Sequence, residues 1–126
     1  MMDETPIEQA IYDHGMKLVV GLRLALGIDE EVADAFIRAL QDAAVLWKDS
    51  NAVPKKAMIM LAGFTYAIDA CRYVYPEKEW ESLNALIMNI DERIGEVLRV
   101  PADPASDERL DAYLKERREK LAQAQQ

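Results

Sequence analysis

Apolar residues recur at spacings of three and four along nearly the whole chain, and alternation of apolar and polar residues is nowhere sustained. A repeat near 3.6 residues places such positions on one face of an α-helix, whereas a half-buried strand needs a repeat of two. Prolines fall between the periodic segments, where they interrupt helices. The pattern therefore predicts an all-α fold.

Five helices are predicted, and their limits are residues 6–26, 30–48, 54–74, 76–99 and 107–122. Thr5, Asp29 and Ser106 are the expected N-caps of the first, second and fifth helices, because their side chains accept hydrogen bonds from free backbone N–H groups. Gly27 is placed to end the first helix in a left-handed conformation. Pro76 should separate the third helix from the fourth; a single kinked helix is the alternative.

The third helix carries no charge between Lys56 and Asp69. A helix that is apolar all round is normally buried, which predicts that it lies at the centre of the fold. We expect an antiparallel bundle of four main helices with a peripheral C-terminal helix. Residues 1–100 form the core, 101–106 the linker, and 107–126 an amphipathic helix of the same single domain.

Two stripes of small residues are expected to let the first and third helices approach closely. They consist of Gly21 and Ala25 on the first helix, and of Gly63, Ala67 and Cys71 on the third.

The formal net charge is -8, and its distribution disfavours nucleic acid and anionic membranes. The basic-looking stretch 115–120 lies in a C-terminal segment with equal numbers of acidic and basic residues. A basic protein is the partner that this charge attracts. The acidic start of the chain does not resemble a secretory signal, and the longest uncharged runs are short of the ~20 residues of a spanning helix. We therefore expect a cytoplasmic location.

The best candidate for a binding site is the segment around Pro76, which combines aromatic and acidic residues. The candidate partner-binding residues are Tyr73, Tyr75, Glu77, Glu79 and Trp80. Tyrosine and tryptophan are enriched at interaction hot spots, and carboxylates attract basic partners. The structural interpretation is that Tyr73 and Trp80 cap the core while the acids begin the fourth helix.

A cluster of acids at the start of the second helix is the best candidate for a metal site. Glu30, Glu31 and Asp34, beside Asp29, offer the oxygen ligands that Mg²⁺ prefers. They match roughly the first half of the paired acidic motifs of all-α nucleotide pyrophosphohydrolases. The second half fails because the third helix offers only Asp69, so we identify no family resemblance. Acids in a first helical turn are also favoured by the helix dipole alone.

Other reactive residues have structural interpretations. Asp69, near Tyr66, is expected to pair with Arg72 or with Lys17 or Arg23 of the first helix, although a buried carboxylate there could act as an acid or base. His14 and Cys71 are the only histidine and cysteine. His14 therefore lacks the partners of a catalytic site, and Cys71 lies near a helix C-terminus, where the dipole disfavours a thiolate.

The sequence thus favours a small acidic protein–protein interaction module without catalytic activity, such as an adaptor, a chaperone-like factor or an inhibitor, with no cofactor. Two alternatives stay open. One is a Mg²⁺-dependent all-α hydrolase of the pyrophosphohydrolase kind, and the other is a carrier of a small apolar ligand with a core cavity beside Gly63 and Ala67. The apolar content also predicts a homodimer.

Overall fold

The structure is a computed structural model that describes residues 6–125, and within that range every regular element is helical. The α-helices are α1 Ile7–Arg23, α2 Glu30–Leu46, α3 Lys55–Ala70, α4 Trp80–Val97 and α5 Pro104–Ala124. Two short 3-10 turns, Arg72–Val74 and Glu77–Glu79, lie between α3 and α4. The predicted all-α class is confirmed. The expected N-cap Thr5 lies outside the described residues.

The four main helices form a bundle of two layers, with α1 beside α3 and α2 beside α4. Lys56 at the start of α3 donates a hydrogen bond to Gln9 at the start of α1. At the other end of the bundle, Tyr75 beyond α3 contacts Leu22 near the end of α1. The layer partners α1 and α3 therefore run parallel.

Two phenylalanines meet at the centre of this bundle. The ring centroids of Phe36 on α2 and Phe64 on α3 are 4.8 Å apart, and both side chains are almost fully buried. Helices α2 and α3 thus face each other across the core, and the connection 47–54 crosses the bundle diagonally. No charged side chain is buried among residues 6–125. Apolar burial therefore supplies the main stabilisation.

Close packing of α1 depends on Gly15, which the small-residue stripes did not include. A Cβ atom built on Gly15 would lie 2.6 Å from Met60 Cγ and 3.2 Å from Phe36 Cε1. A Cβ on Gly21 or Gly63 would meet nothing within 4 Å. The predicted close approach of α1 and α3 is therefore absent at Gly21 and Gly63, and it occurs at Gly15 instead.

Helix α3 is buried on one side and exposed on the other, so it is less central than the sequence predicts. Met60, Phe64 and Ile68 are buried, but Ile59 is 60% and Tyr66 is 83% exposed. By length and composition, the segment Lys55–Val74 could cross a membrane. Within its most apolar stretch of 18 residues, 33% is buried in the bundle. Apolar helices that pack inside water-soluble bundles have the same composition, so this feature by itself assigns no location.

Helix α1 ends at Arg23, three residues before the predicted limit. The N–H of Leu26 bonds to the carbonyl of Gly21 at 2.9 Å, and the N–H of Ala25 bonds to that of Leu22 at 3.1 Å. This pair of bonds is the Schellman motif, whose left-handed position is occupied here by Ala25 with φ 59°. Gly27 is also left-handed, at φ 83°, but it lies in the following loop.

We expect Ala25→Gly to raise the free energy of unfolding by about 1 kcal/mol, because glycine removes the steric cost of a left-handed alanine. The side chain is exposed, so no packing is lost. Ala85→Gly, at an exposed position inside α4, is the matched control and should lower stability by a similar amount. Denaturant unfolding measures both changes, and a destabilised Ala25→Gly variant would contradict the assignment.

Helix α5 begins at Pro104, and Asp103 caps it by accepting a hydrogen bond from the N–H of Ser106 at 3.3 Å. The predicted N-cap Ser106 is therefore wrong, and the helix begins three residues earlier than expected. No residue of α5 is buried. The predicted peripheral position of this helix is confirmed.

Candidate protein-binding site

The chain turns sharply between α3 and α4, at the segment that the sequence marked as a binding site. Tyr75 has extended backbone angles, φ -114° and ψ 148°, immediately before Pro76. This is the conformation that proline imposes on the preceding residue. The predicted break is confirmed, and the single kinked helix is excluded. Helix α4 begins at Trp80 rather than at Pro76.

Tyr75 fixes this corner to the rest of the bundle. Its hydroxyl donates a hydrogen bond to the carbonyl of Leu22 at 2.7 Å and accepts one from the N–H of Gly27 at 3.2 Å. The residue is only 9% exposed. Because its ring packs in the core and its hydroxyl is paired, Tyr75 stabilises the corner from inside the bundle.

Trp80 holds the turn from its other side. Its indole Nε1 donates to the carbonyls of Arg72 and Tyr75, both at 3.1 Å. Tyr73 lies edge-on to the Trp80 ring, with centroids 6.2 Å apart. The tyrosine is 82% exposed. Its phenol ring is therefore oriented by a neighbour but free on its outer side.

A cleft of about 250 Å³ opens beside the corner, between the N-terminal ends of α2 and α4. Its lining consists of Gly27, Ile28, Glu30, Tyr75, Glu79, Ser82 and Leu83. Glu30 and Glu79 are exposed residues of this lining, whereas Leu83 is buried. The cleft thus combines apolar surface with two carboxylates. Glu77 is exposed on the adjoining turn.

The acidic cluster of α2 is not assembled as a metal site. Asp29 accepts a hydrogen bond from the N–H of Val32 at 3.2 Å and caps the helix, as predicted. Glu30, Glu31 and Asp34 are exposed. Within residues 6–125, no three histidine, cysteine or carboxylate side chains are grouped so as to hold a metal ion. The alternative ligand set Glu30, Glu31 and Asp34 therefore does not form a site.

The remaining reactive residues occupy structural positions. Asp69 Oδ1 lies 2.7 Å from Arg72 Nη2, and the carboxylate side chain is 60% exposed, so the predicted ion pair is confirmed and the carboxylate is not buried. Buried Cys71 donates its thiol hydrogen to the carbonyl of Ala67. His14 is partly buried, and its Nδ1 has no hydrogen-bond partner among the described residues.

The expected core cavity beside Gly63 and Ala67 is instead an open groove between α1 and α3. Its volume is about 200 Å³, and it is lined by Met16, Val19, Val20, Arg23, Ile59, Met60, Gly63, Phe64 and Ala67. Because the groove opens to solvent, it offers a contact surface rather than an enclosed ligand chamber.

No protein-family model, curated protein or solved structure matches this chain. The sequence indicates the corner at Pro76 but not its cleft, because Glu30 and Glu79 are far apart in the chain. Beside Gly63 and Ala67 the sequence predicts an enclosed cavity, where the structure has an open groove between α1 and α3.

Proposed function

We propose that this protein is a non-catalytic interaction module of the cytoplasm that binds a basic segment of another protein. An adaptor, a chaperone-like factor and an inhibitor all act in this way. The observation that carries the proposal is a corner at Pro76 that presents an exposed aromatic ring, Tyr73, and adjoins a cleft whose two carboxylates the fold does not use.

The cleft suits a lysine or arginine side chain. The aliphatic stem of such a residue would lie along Ile28 and Leu83, while its charged end meets Glu30 and Glu79. Tyr73 would add a rigid aromatic contact, which supplies large area at low entropic cost. Tyr75 and Trp80 support the site through hydrogen bonds to the backbone.

The charge of the whole chain favours the same partner. Residues 1–106 contain 18 acidic and 10 basic residues, so the bundle carries a negative field. Such a field speeds the approach of a basic partner and repels acidic ones. The two charged residues that line the cleft, Glu30 and Glu79, are both acidic. Long-range attraction and local recognition therefore act in the same direction.

We expect the double variant Tyr73→Ala/Glu79→Lys to lose the partner while keeping the fold. The loss of one aromatic hot spot weakens binding by roughly 30-fold, and a reversed charge in the cleft adds repulsion. The measurement is affinity capture of proteins from the native host by the wild-type chain, followed by titration of the captured protein. The association rate should fall as salt rises.

Tyr66→Ala/Glu92→Lys is the matched control, since it removes an equally exposed tyrosine and reverses an exposed charge elsewhere. This control should bind like the wild-type chain. Equal loss of the partner in both variants would count against the proposed site, and a salt-independent association rate would count against a basic partner.

A further inference from the structure

Helix α5 is long and regular, and none of its residues is buried in its own bundle. Its apolar side chains Leu110, Tyr113, Leu114 and Leu121 are all exposed. Tyr113 and Leu114 follow Leu110 by three and four residues, and Leu121 follows Leu114 by seven. These spacings place all four side chains along one side of the helix. Most helical stability in proteins comes from packing an apolar face, and in this structure the apolar stripe of α5 faces solvent. The stripe is therefore available to pack against another apolar surface.

The face between α1 and α3 is such a surface. The groove described above contains the exposed side chains Val20 and Ile59, and it adjoins a shallow depression of about 440 Å³ along α1. Open space lies above Gly21 and Gly63, where a Cβ would meet nothing within 4 Å. Side chains of an incoming helix can therefore enter at both glycines.

Helix α5 does not pack into this groove on its own bundle. The connecting residues 98–103 span at most about 20 Å when fully extended. Val100, Pro101 and Ala102 already line a cleft with Ala44 and Lys48 at the C-terminal end of α2. Helix α5 therefore starts at the layer of α2 and α4, whereas the groove opens on the opposite layer.

We propose that α5 packs into the α1–α3 groove of a second copy of this chain, in a reciprocal dimer. Charge favours this arrangement over direct contact of two α3 faces. The segment 107–126 contains 5 acidic and 5 basic residues, so it approaches the acidic bundle of the partner without net repulsion. Two acidic bundles placed face to face would repel each other.

The area that α5 can bury sets an upper limit on the affinity of the dimer. A helix of 21 residues is ~31 Å long and ~10 Å wide. If its whole length were covered, the area buried on helix and groove in both copies would be roughly 1,200 Å², the lower limit of stable specific interfaces. The dimer is therefore expected to be reversible within the micromolar range.

The test is sedimentation velocity of the full-length chain up to about 100 µM, a concentration that populates a dimer of micromolar dissociation constant. We expect the wild-type chain to be dimeric. Leu114→Asp on α5 and Gly63→Leu in the groove should each raise the dissociation constant by about 30-fold or more. Gly63→Leu adds its side chain in open space and replaces a helical glycine, so its bundle should remain folded.

Matched controls separate the interface from general effects. Ala112→Asp places the same charge on the opposite side of α5, and Gly95→Leu fills open space on α4. Both should remain dimeric. A monomeric wild-type chain at the highest concentration would overturn the proposal, as would a dimer that survives either groove or stripe substitution. Equal losses in the controls would point to a different interface.

Discussion

Gly15→Val is expected to lower the free energy of unfolding by about 3 kcal/mol, the upper end of the cost of overpacking a core. Gly15 lies in the middle of α1 and is buried. Even a single added Cβ would lie 2.6 Å from Met60 Cγ and 3.2 Å from Phe36 Cε1, below ordinary contact distances. Valine adds two further methyl groups. Met60 and the Phe36 ring must then move within a closely packed interior.

Urea unfolding followed by circular dichroism measures this effect, and Gly95→Val is its control. Gly95 is also helical, but it is exposed, and nothing lies within 4 Å of an added Cβ. Its substitution should change stability by less than about 0.5 kcal/mol, as is usual at exposed sites. Equal effects at the two glycines would contradict the close approach at Gly15.

A double-mutant cycle locates the cause of the loss at Gly15. Met60→Ala creates space beside Gly15 but by itself costs about 2–5 kcal/mol, as for other buried large-to-small changes. If Met60 is the side chain that valine displaces, the Gly15→Val/Met60→Ala variant should be more stable than the sum of the single effects predicts. Simple additivity would assign the loss to another contact.

The second large effect is expected for Tyr75→Phe, which should cost about 2 kcal/mol, within the range for a buried polar group that loses its partner. The phenylalanine ring keeps the apolar packing, but the N–H of Gly27 loses the hydroxyl that it donates to. The carbonyl of Leu22 also loses its 2.7 Å bond, although it keeps the N–H of Ala25. The loop after α1 and the corner before α4 are thereby uncoupled.

Tyr73→Phe is the control for this substitution. Tyr73 is only two residues away, but it is 82% exposed, so its hydroxyl contributes little to stability. Thermal unfolding should show a melting temperature lowered by about 8 °C for Tyr75→Phe and almost unchanged for Tyr73→Phe, given about 4 °C per kcal/mol at this size. A larger loss for Tyr73→Phe would reverse the roles assigned to the two tyrosines.

The two tyrosines also separate stability from binding. Tyr75 is expected to affect partner binding only through the shape of the corner, because its ring is not exposed in the free chain. Tyr73 is expected to affect binding without affecting the fold. Comparing partner binding by Tyr75→Phe and by Tyr73→Ala, which removes the ring, therefore tests whether the exposed ring is a binding group or only a surface side chain.

Local features of the fold followed from the sequence. The helical repeat predicted all five helices, Asp29 caps α2 as expected, and Pro76 breaks the chain after extended Tyr75. These features depend on residues a few positions apart, whose steric and hydrogen-bonding preferences act in any surroundings. The ion pair of Asp69 with Arg72 belongs to the same class, because its members lie three residues apart on the chain.

Helix ends were predicted less well, for two different reasons. The start of α5 could be predicted from local sequence. Asp103 before Pro104 fits the preference for an N-cap residue followed by proline at the first helical position. Ser106 offered a competing cap of the same kind. The end of α1 could not be predicted in this way. Gly27, two residues later, is a better candidate for a left-handed conformation than Ala25, which adopts it at the helix end.

Tertiary structure alone decided which helical faces meet. Periodicity identified the apolar faces, but it could not tell that α1 lies parallel to α3 or that Gly15, rather than Gly21 or Gly63, is covered by Met60. It also could not place Glu30 beside the same cleft as Glu79, or bury Tyr75 while exposing Tyr73. Helix formation depends on neighbours one turn away, whereas these contacts depend on how four helices share a single core, and many pairings of similar faces bury similar apolar area.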